Sequence, residues 1–203
     1  MPNNAFSRLL TASTSVLVVI CGWWLVAFSL ASCFEMVARK LFQYSLQGID
    51  EIGGYTLAVT SAVGFSYTLI TRGHTRIDFL VSRFPVKVRA VLNCIAMLTL
   101  AATVLFAAFR GWNVLSETIE FQSTATTPLQ TPMWIPQSMW YVGIVLFAVI
   151  TLYLALNSLW LLVRGRLDEL NRCYGPQTLL EEIESEAGDV LKEVAHAAQG
   201  AKA

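Results

Sequence analysis

The residues with the greatest chemical potential lie in one short stretch, residues 72–89, with the sequence RGHTRIDFLVSRFPVKVR. Its ionisable members are five basic residues, one histidine and one acid: Arg72, Arg76, Arg83, Lys87, Arg89, His74 and Asp78. Guanidinium and ammonium groups bind phosphates and carboxylates. Long apolar runs flank the stretch on both sides, so we interpret it as a loop between two membrane spans. A short basic loop of this kind is held on the cytoplasmic side.

Apolar residues alternate with the charges in this basic loop, namely Ile77, Phe79, Leu80, Val81 and Phe84. The pattern predicts a short amphipathic helix that lies in the headgroup layer, with its arginine and lysine side chains toward water. Asp78 could cap the start of this helix, and Pro85 would end it. We therefore expect an interfacial segment between the second and third spans.

A second group of charged residues lies near the opposite membrane face. Glu35 and Arg39 are four positions apart, with the acid first, which favours an ion pair on a helix. Asp50 and Glu51 immediately precede the second span, where the helix dipole favours negative charge. Arg110 comes near the outer end of the third span, so it either reaches the interface or pairs with one of these three acids.

Catalytic and cofactor chemistry is not encoded in recognisable form. The two histidines, His74 and His196, both lie outside the apolar runs, which argues against a haem-bearing subunit. No Ser/His/Asp or Cys/His arrangement, glycine-rich phosphate loop or metal-ligand spacing occurs. The four cysteines form no C-x-x-C pair and are interpreted as small buried residues. We expect no catalytic residue, cofactor or metal, and no nucleic-acid partner.

The composition is that of a membrane protein. Hydrophobic residues make up 55% of the chain and charged residues 14%, whereas soluble domains carry about 25% charged residues. A membrane span needs about 20 apolar residues, and four runs are long enough: 13–35, 52–71, 88–116 and 137–163. The first is longer than the apolar region of a signal peptide, so we expect a retained helix. The predicted fold is an all-α integral membrane protein with four transmembrane helices.

The distribution of basic residues predicts the orientation. One side of the membrane would carry Arg8, the basic loop, Arg164, Arg166 and Arg172, and the other would carry only Arg39, Lys40 and Arg110. By the positive-inside bias both termini are cytoplasmic. Residues 1–170 would form the membrane domain and residues 171–203 a cytoplasmic tail. Thr178 and Glu181 form a capping box that opens an acidic amphipathic helix in this tail.

Small residues recur every four positions in the second span, at Gly54, Ala58, Ala62 and Ser66. This spacing lets helix backbones approach closely in a membrane, so we expect this span to be the most closely packed helix. The middle of every span lacks ionisable residues, which ion-coupled transporters normally carry there. The chain therefore has the character of a helix-packing partner, with the transport pathway in another subunit.

Three prolines fall in residues 121–136, FQSTATTPLQTPMWIP. Proline at this spacing prevents a continuous helix, so the segment is predicted to be the longest loop on the outer face. Pro136 is placed in the first turn of the last helix, where proline is tolerated.

These features together resemble the small, DctQ-type membrane subunit of tripartite ATP-independent periplasmic (TRAP) transporters. The resemblance covers about residues 13–165 and depends on the D-E pair before the second span, the R-G-H-T-R-I-D-F-L loop and the TTPLQTPMWIP loop. It implies a non-catalytic subunit in the bacterial inner membrane. Its partners would be membrane lipids, a large permease subunit that holds the substrate and sodium sites, and a periplasmic binding protein. The imported substrate would be an organic acid such as a carboxylate.

The resemblance places Asp50, Glu51, His74, Arg76 and Asp78 on family motif positions. With the residues singled out above, the candidate partner-interface set is Glu35, Arg39, Asp50, Glu51, Gly54, Ala58, Ala62, His74, Arg76, Asp78 and Arg110. Two other functions stay open: a self-sufficient homodimeric transporter with Glu35 as coupling acid, and a small membrane enzyme or assembly factor. The lack of a mid-membrane acid weighs against the first, and the lack of a catalytic arrangement against the second.

Overall fold

The computed structural model describes residues 5–43, 48–71 and 84–175 and the single position 187, with the backbone alone for residues 5–9. These residues form five helices: α1 (Ala5–Phe42), α2 (Ile49–Ile70), α3 (Val86–Glu120), α4 (Trp134–Val163) and α5 (Leu167–Tyr174). The described part of the chain contains no β-strand, only an isolated antiparallel bridge between Thr124 and Pro132. The predicted all-α class is confirmed.

Three of these helices are long and apolar enough to cross a membrane: Leu10–Phe42, Val86–Glu120 and Trp134–Val163. They contain the predicted first, third and fourth spans, and each helix begins earlier than its predicted span. The predicted second span corresponds to α2, which is not among the three. Threonine, serine and tyrosine side chains recur along α2, and Asp50 and Glu51 lie in its first turn. These polar residues lower the mean hydropathy of α2, which is why it is not among the three.

The helix contacts centre on α4. It packs against both α3 and α2, while α1 packs on α2, and α5 lies against α3 and α4. Eleven residues of α4 are buried and five of α2, so the prediction that α2 is the most closely packed helix was wrong. Small residues permit close approach, but the number of neighbouring helices decides how much of a helix is buried.

Side-chain contacts fix the relative directions of the helices. On α3 and α4, Cys94 Sγ lies 3.8 Å from Ser158 Oγ, and Gly111 lies against the ring of Tyr141. Residues that come later in α3 therefore contact residues that come earlier in α4, so the two helices are antiparallel. On α2 and α4, Ala62 meets Gly143, and the Phe65 and Phe147 rings are 5.9 Å apart, so these two helices are parallel.

These directions define two ends of the bundle. The loop end holds the start of α2, the end of α3 and the connection between α3 and α4. The α5 end holds the end of α2, the start of α3, the end of α4 and α5. Because Trp24 and Phe28 of α1 meet Thr56 and Gly53 of α2, α1 is antiparallel to α2 and begins at the α5 end.

The hydrophobic core lies between α3, α4 and α5, where Met97, Ile150 and Leu170 are almost completely buried. Most of α1 is exposed instead, including Trp23 and Phe34. The helix starts agree with the proline positions, since α3 follows Pro85 and Pro136 lies in the first turn of α4. The predicted amphipathic segment of the basic loop and the predicted tail helix lie outside the described residues.

Candidate functional site

The loop between α3 and α4 is attached to the start of α2 by a side-chain contact. The hydroxyl of Thr127 donates a hydrogen bond to Glu51 Oε2, and the Tyr55 hydroxyl donates to Glu51 Oε1 at 2.8 Å. Glu51 and Thr127 come from the two motifs that the sequence places before the second and fourth spans. The structure therefore brings together two motifs that are 76 residues apart.

The loop has its own backbone structure, which presents Thr127 to the carboxylate. The Ala125 amide donates to the Thr131 carbonyl at 3.0 Å, and the Met133 amide donates to the Ser123 carbonyl at 3.0 Å. These bonds join the two sides of the loop around residues 126–130. The prolines therefore prevent a helix, as predicted, and the segment folds into a compact turn instead.

An apolar contact lies beside this hydrogen bond. The Leu129 side chain occupies the space that a Cβ on Gly48 would fill, because an added Cβ would lie 1.5 Å from Leu129 Cδ1. Gly48 also has a φ of 97°, a conformation that glycine adopts without strain. The loop between α3 and α4 thus contacts the start of α2 through both the Leu129 side chain and the Thr127 hydroxyl.

Hydrogen bonding stabilises the ionised form of Glu51. The Thr127 hydroxyl is the largest influence and lowers the pKa of the carboxyl group, and Thr131 and Tyr55 lower it further. Partial desolvation acts in the opposite direction, but the pKa falls overall. Glu51 is therefore an ionised acceptor that holds the loop, in addition to its expected favourable position at a helix N-terminus.

The predicted Glu35–Arg39 pair forms on α1. Glu35 Oε1 accepts hydrogen bonds from Arg39 Nε at 2.8 Å and Nη2 at 2.6 Å. Glu35 is buried, with 5% of its surface exposed, while Arg39 reaches outward. Ion pairs between described residues are limited to this one and Arg166 with Glu169. Arg110 and Asp50 lie exposed outside both pairs.

The small residues of α2 divide between two faces. Ala62 is 1% exposed and lies so close to α4 that a Cβ on Gly143 would be 2.8 Å from the Ala62 Cβ. Ser66 is also buried. Gly54 and Ala58, by contrast, are exposed, and nothing lies within 4 Å of a Cβ placed on Gly54. Half of the small-residue stripe serves packing within this chain, and half remains open.

The sequence did not predict α5 or the polar contacts that hold it. Asn93 Nδ2 donates to Asn171 Oδ1 at 3.1 Å, and Asn171 Nδ2 donates to the Val86 carbonyl at 3.0 Å. Asn157 Nδ2 also donates to the Tyr174 hydroxyl at 2.7 Å. The signal in the sequence was the helical spacing of the inward residues Leu167, Leu170, Asn171 and Tyr174, immediately after Gly165.

The other surface feature of the loop end is a groove of about 600 Å³. It is lined by Ile119, Gln122, Thr124, Pro132 and Trp134. Half of the Trp134 side chain is exposed beside it. No group of three or more His, Cys, Asp or Glu side chains that could hold a metal occurs among residues 5–43, 48–71 and 84–175. The candidate residues His74, Arg76 and Asp78 lie outside these ranges.

Comparison with known families gives a match over the greater part of the chain. A family model described as "Tripartite ATP-independent periplasmic transporters, DctQ component" matches residues 28–161, which is more than half of the chain. The matched region includes the last part of α1, all of α2 and α3, most of α4, and both motifs joined by Glu51 and Thr127. The comparison with curated proteins gives no match.

Proposed function

Because this chain belongs to the DctQ component family of tripartite ATP-independent periplasmic transporters, and is thus a non-catalytic transporter component, we propose that it braces a large permease subunit in the bacterial inner membrane. The complex imports an organic acid such as a carboxylate, driven by sodium and supplied by a periplasmic binding protein. The substrate class and sodium coupling are properties that the family resemblance implies. The remaining parts of the proposal draw on the geometry of this chain.

We propose four membrane spans, with α2 as the fourth. The predicted span, residues 52–71, corresponds to about 30 Å of chain in helical conformation, the thickness of a typical hydrocarbon layer, and it leaves Asp50 and Glu51 outside that layer. Several of its polar groups have partners: the Thr60 and Thr68 hydroxyls donate to carbonyls of their own helix, and Thr56 accepts from Trp24. Polar side chains with such partners are tolerated at membrane depth. The excess of basic residues at the α5 end supports a cytoplasmic position for that end.

The face of the chain toward the large subunit is the open half of the small-residue stripe. Gly54 and Ala58 are exposed there, and the exposed Leu57 lies next to them. Small side chains let a helix of another subunit approach the α2 backbone, and van der Waals packing drives such association in lipid. This exposure of Gly54 and Ala58, when Ala62 of the same stripe is buried, is the observation that carries the bracing role.

The loop end is the docking face for the binding protein. The hydrogen bond from Thr127 to Glu51 and the contact of Leu129 with Gly48 hold the loop on α2. The groove beside Trp134 is then presented with a fixed shape. A preorganised surface binds a partner at a lower entropic cost than a loop that must be ordered first.

Reconstitution in liposomes tests the proposal. This chain alone should move no organic anion, even with a sodium gradient and the binding protein, and addition of the cognate large subunit should give uptake. Omission of this chain should abolish uptake by loss of assembly. Sodium-driven uptake by this chain alone would contradict the proposal and support the homodimeric transporter, in which case Glu35→Gln should stop that uptake.

A further inference from the structure

Arg89, in the first turn of α3, has a hydrogen-bond donor without an acceptor. Its side chain is partly buried, and Nε is enclosed with no hydrogen-bond partner within the described part of the chain. Buried polar groups in proteins almost always have a partner, and an unsatisfied donor is destabilising. The arrangement therefore indicates an acceptor that is not one of the described side chains.

The depth of Arg89 follows from the helix register. The pairing of Cys94 with Ser158 on antiparallel helices puts Arg89 level with the last turn of α4. There the Arg164 guanidinium stacks on the Trp160 ring at 4.1 Å from its centroid, and Trp160 is 45% exposed. Tryptophan and arginine at a helix end are typical of the headgroup layer. Arg89 is thus at the depth of lipid phosphates.

Charge separates this end from the other. At the α5 end the described charged residues comprise five basic and two acidic side chains: Lys87, Arg89, Arg164, Arg166, Arg172, Asp168 and Glu169. At the loop end they comprise three basic and five acidic ones: Arg39, Lys40, Arg110, Glu35, Asp50, Glu51, Glu117 and Glu120. An anion in the headgroup layer is therefore attracted to the α5 end and repelled from the loop end.

We propose that Arg89, assisted by Lys87 and Arg164, binds the phosphate of an anionic phospholipid headgroup at the α5 end. A guanidinium is a planar donor that matches phosphate oxygens. The Arg89 side chain is partly exposed, so a lipid phosphate would supply the acceptor that Nε lacks once the side chain turns toward the headgroup layer. Leu92, one turn further along α3, is an exposed apolar side chain, and it provides a surface for the acyl chains below the headgroup.

Native mass spectrometry of the full chain, purified in mild detergent and supplied with phosphatidylglycerol, tests this site. Wild type should retain the lipid, and Arg89→Gln should reduce the retained fraction at least fivefold. Arg89→Lys should give an intermediate value, because the charge remains and the Nε donor is lost. The matched control is Arg110→Gln, which removes an exposed arginine from the loop end of the same helix and should retain phosphatidylglycerol as wild type does.

Three results would overturn the site: equal lipid retention by Arg89→Gln and wild type, equal retention of phosphatidylcholine, or displacement of the lipid by millimolar inorganic phosphate. A fourth result would show that the Arg89 guanidinium pairs with an acidic side chain of this protein rather than with a lipid. In that case Arg89→Gln lowers the unfolding temperature in zwitterionic detergent, and phosphatidylglycerol does not raise that of wild type. In the proposed site phosphatidylglycerol raises the unfolding temperature of wild type and Arg110→Gln, but not that of Arg89→Gln.

Discussion

Ala62 of α2 and Gly143 of α4 are in close contact because Gly143 has no side chain. A Cβ on Gly143 would lie 2.8 Å from the Ala62 Cβ and 3.5 Å from the Ala62 carbonyl carbon. The two parallel helices are therefore as close here as a glycine allows. In the proposed membrane position of α2, lipid offers no hydrophobic driving force between helices, so such close van der Waals contact would hold α2 to α4.

Added volume at this contact should destabilise the bundle. We expect Ala62→Leu to lower the free energy of unfolding in detergent by about 1–3 kcal/mol, the usual cost of overpacking. Thermal or denaturant unfolding of the purified chain measures the effect. Ala58→Leu is the matched control, since it adds the same atoms to the same helix at an exposed position and should leave stability unchanged. Equal losses for both variants would contradict the assignment of Ala62 to the inner face.

The same control variant should have an effect in the complex. If the open half of the stripe faces the large subunit, Ala58→Leu will reduce co-purification with that subunit, because a leucine prevents close approach of the partner helix. The readout is the ratio of the two subunits after affinity purification in mild detergent. Leu57→Ala, which removes bulk from the exposed position next to Ala58, is the variant with which this subunit ratio is compared. If Ala58→Leu recovers as much of the large subunit as wild type does, this face of α2 contacts lipid instead.

The attachment of the loop to α2 should depend on pH. Hydrogen bonds lower the pKa of Glu51 in the folded chain below its unfolded value, with Thr127 the largest influence. A lowered pKa means that this stabilisation is fully present above the unfolded pKa, about 4.3 for glutamate. It is lost as the pH falls through the folded pKa.

Limited proteolysis within residues 121–133 measures this attachment across the acid range. Cleavage of wild type should accelerate as the pH falls below about 4. Glu51→Gln and Thr127→Val should raise cleavage at neutral pH and remove most of this pH dependence. Asp50→Asn is the control, because Asp50 is the exposed neighbour of Glu51. If Asp50→Asn and Glu51→Gln behave alike, the effect comes from helix-end charge rather than from the bond to Thr127.

Asn171 should be important for the stability of the α5 end. It bonds both Asn93 and the Val86 carbonyl, so Asn171→Leu leaves the buried Asn93 amide and the Val86 carbonyl without this partner. We expect a loss of about 1–3 kcal/mol in unfolding free energy. Asp168→Asn, a change on the exposed face of the same helix, should have little effect. The double variant Asn93→Leu/Asn171→Leu should cost less than the sum of the single changes, because the pair is then removed together.

The proposed topology predicts the accessibility of two loops. In a cysteine-free background, a cysteine in place of Ala125 should react with reagents confined to the periplasm. A cysteine in place of Thr75, in the basic loop, should not react until the membrane is permeabilised. The reverse pattern would invert the topology, and reaction at both positions from one side would remove α3 as a span.

Hydropathy and proline positions were sufficient to predict most of the fold. Apolar runs predict α1, α3 and α4 because each run is long enough to span a membrane, and Pro136 falls in the first turn of α4 as expected. Pro85 was predicted only to end the helix of the basic loop, and it directly precedes α3. The small-residue spacing predicts close packing of α2, but not which residues of the stripe face this chain. Gly54 and Ala62 both belong to the small-residue spacing, and the position of α4 decides which of them is buried.

The site contacts were less predictable because they join distant parts of the chain. The pair Glu35 and Arg39 is local, so the four-residue spacing was enough to predict it. The bond between Glu51 and Thr127 depends on how the α3–α4 loop folds back, which no local pattern encodes. The α5 helix was missed because eight residues with two acids and an arginine have the composition of a solvated linker, and their packing comes from asparagine hydrogen bonds.

The hydrogen bond from Asn93 to Asn171 implies an order in which the bundle is completed during synthesis. Proteins generally fold from the N-terminus as they emerge from the ribosome, and Asn171 follows Asn93 by 78 residues. The α3–α4 hairpin is therefore inserted before α5 exists, and the amide of Asn93 acquires Asn171 as its acceptor only after translation has passed the last span. A nascent chain arrested before Asn171 would retain an unpaired amide inside the hairpin, so α5, which is synthesised later, completes the polar interior of a hairpin that is already inserted.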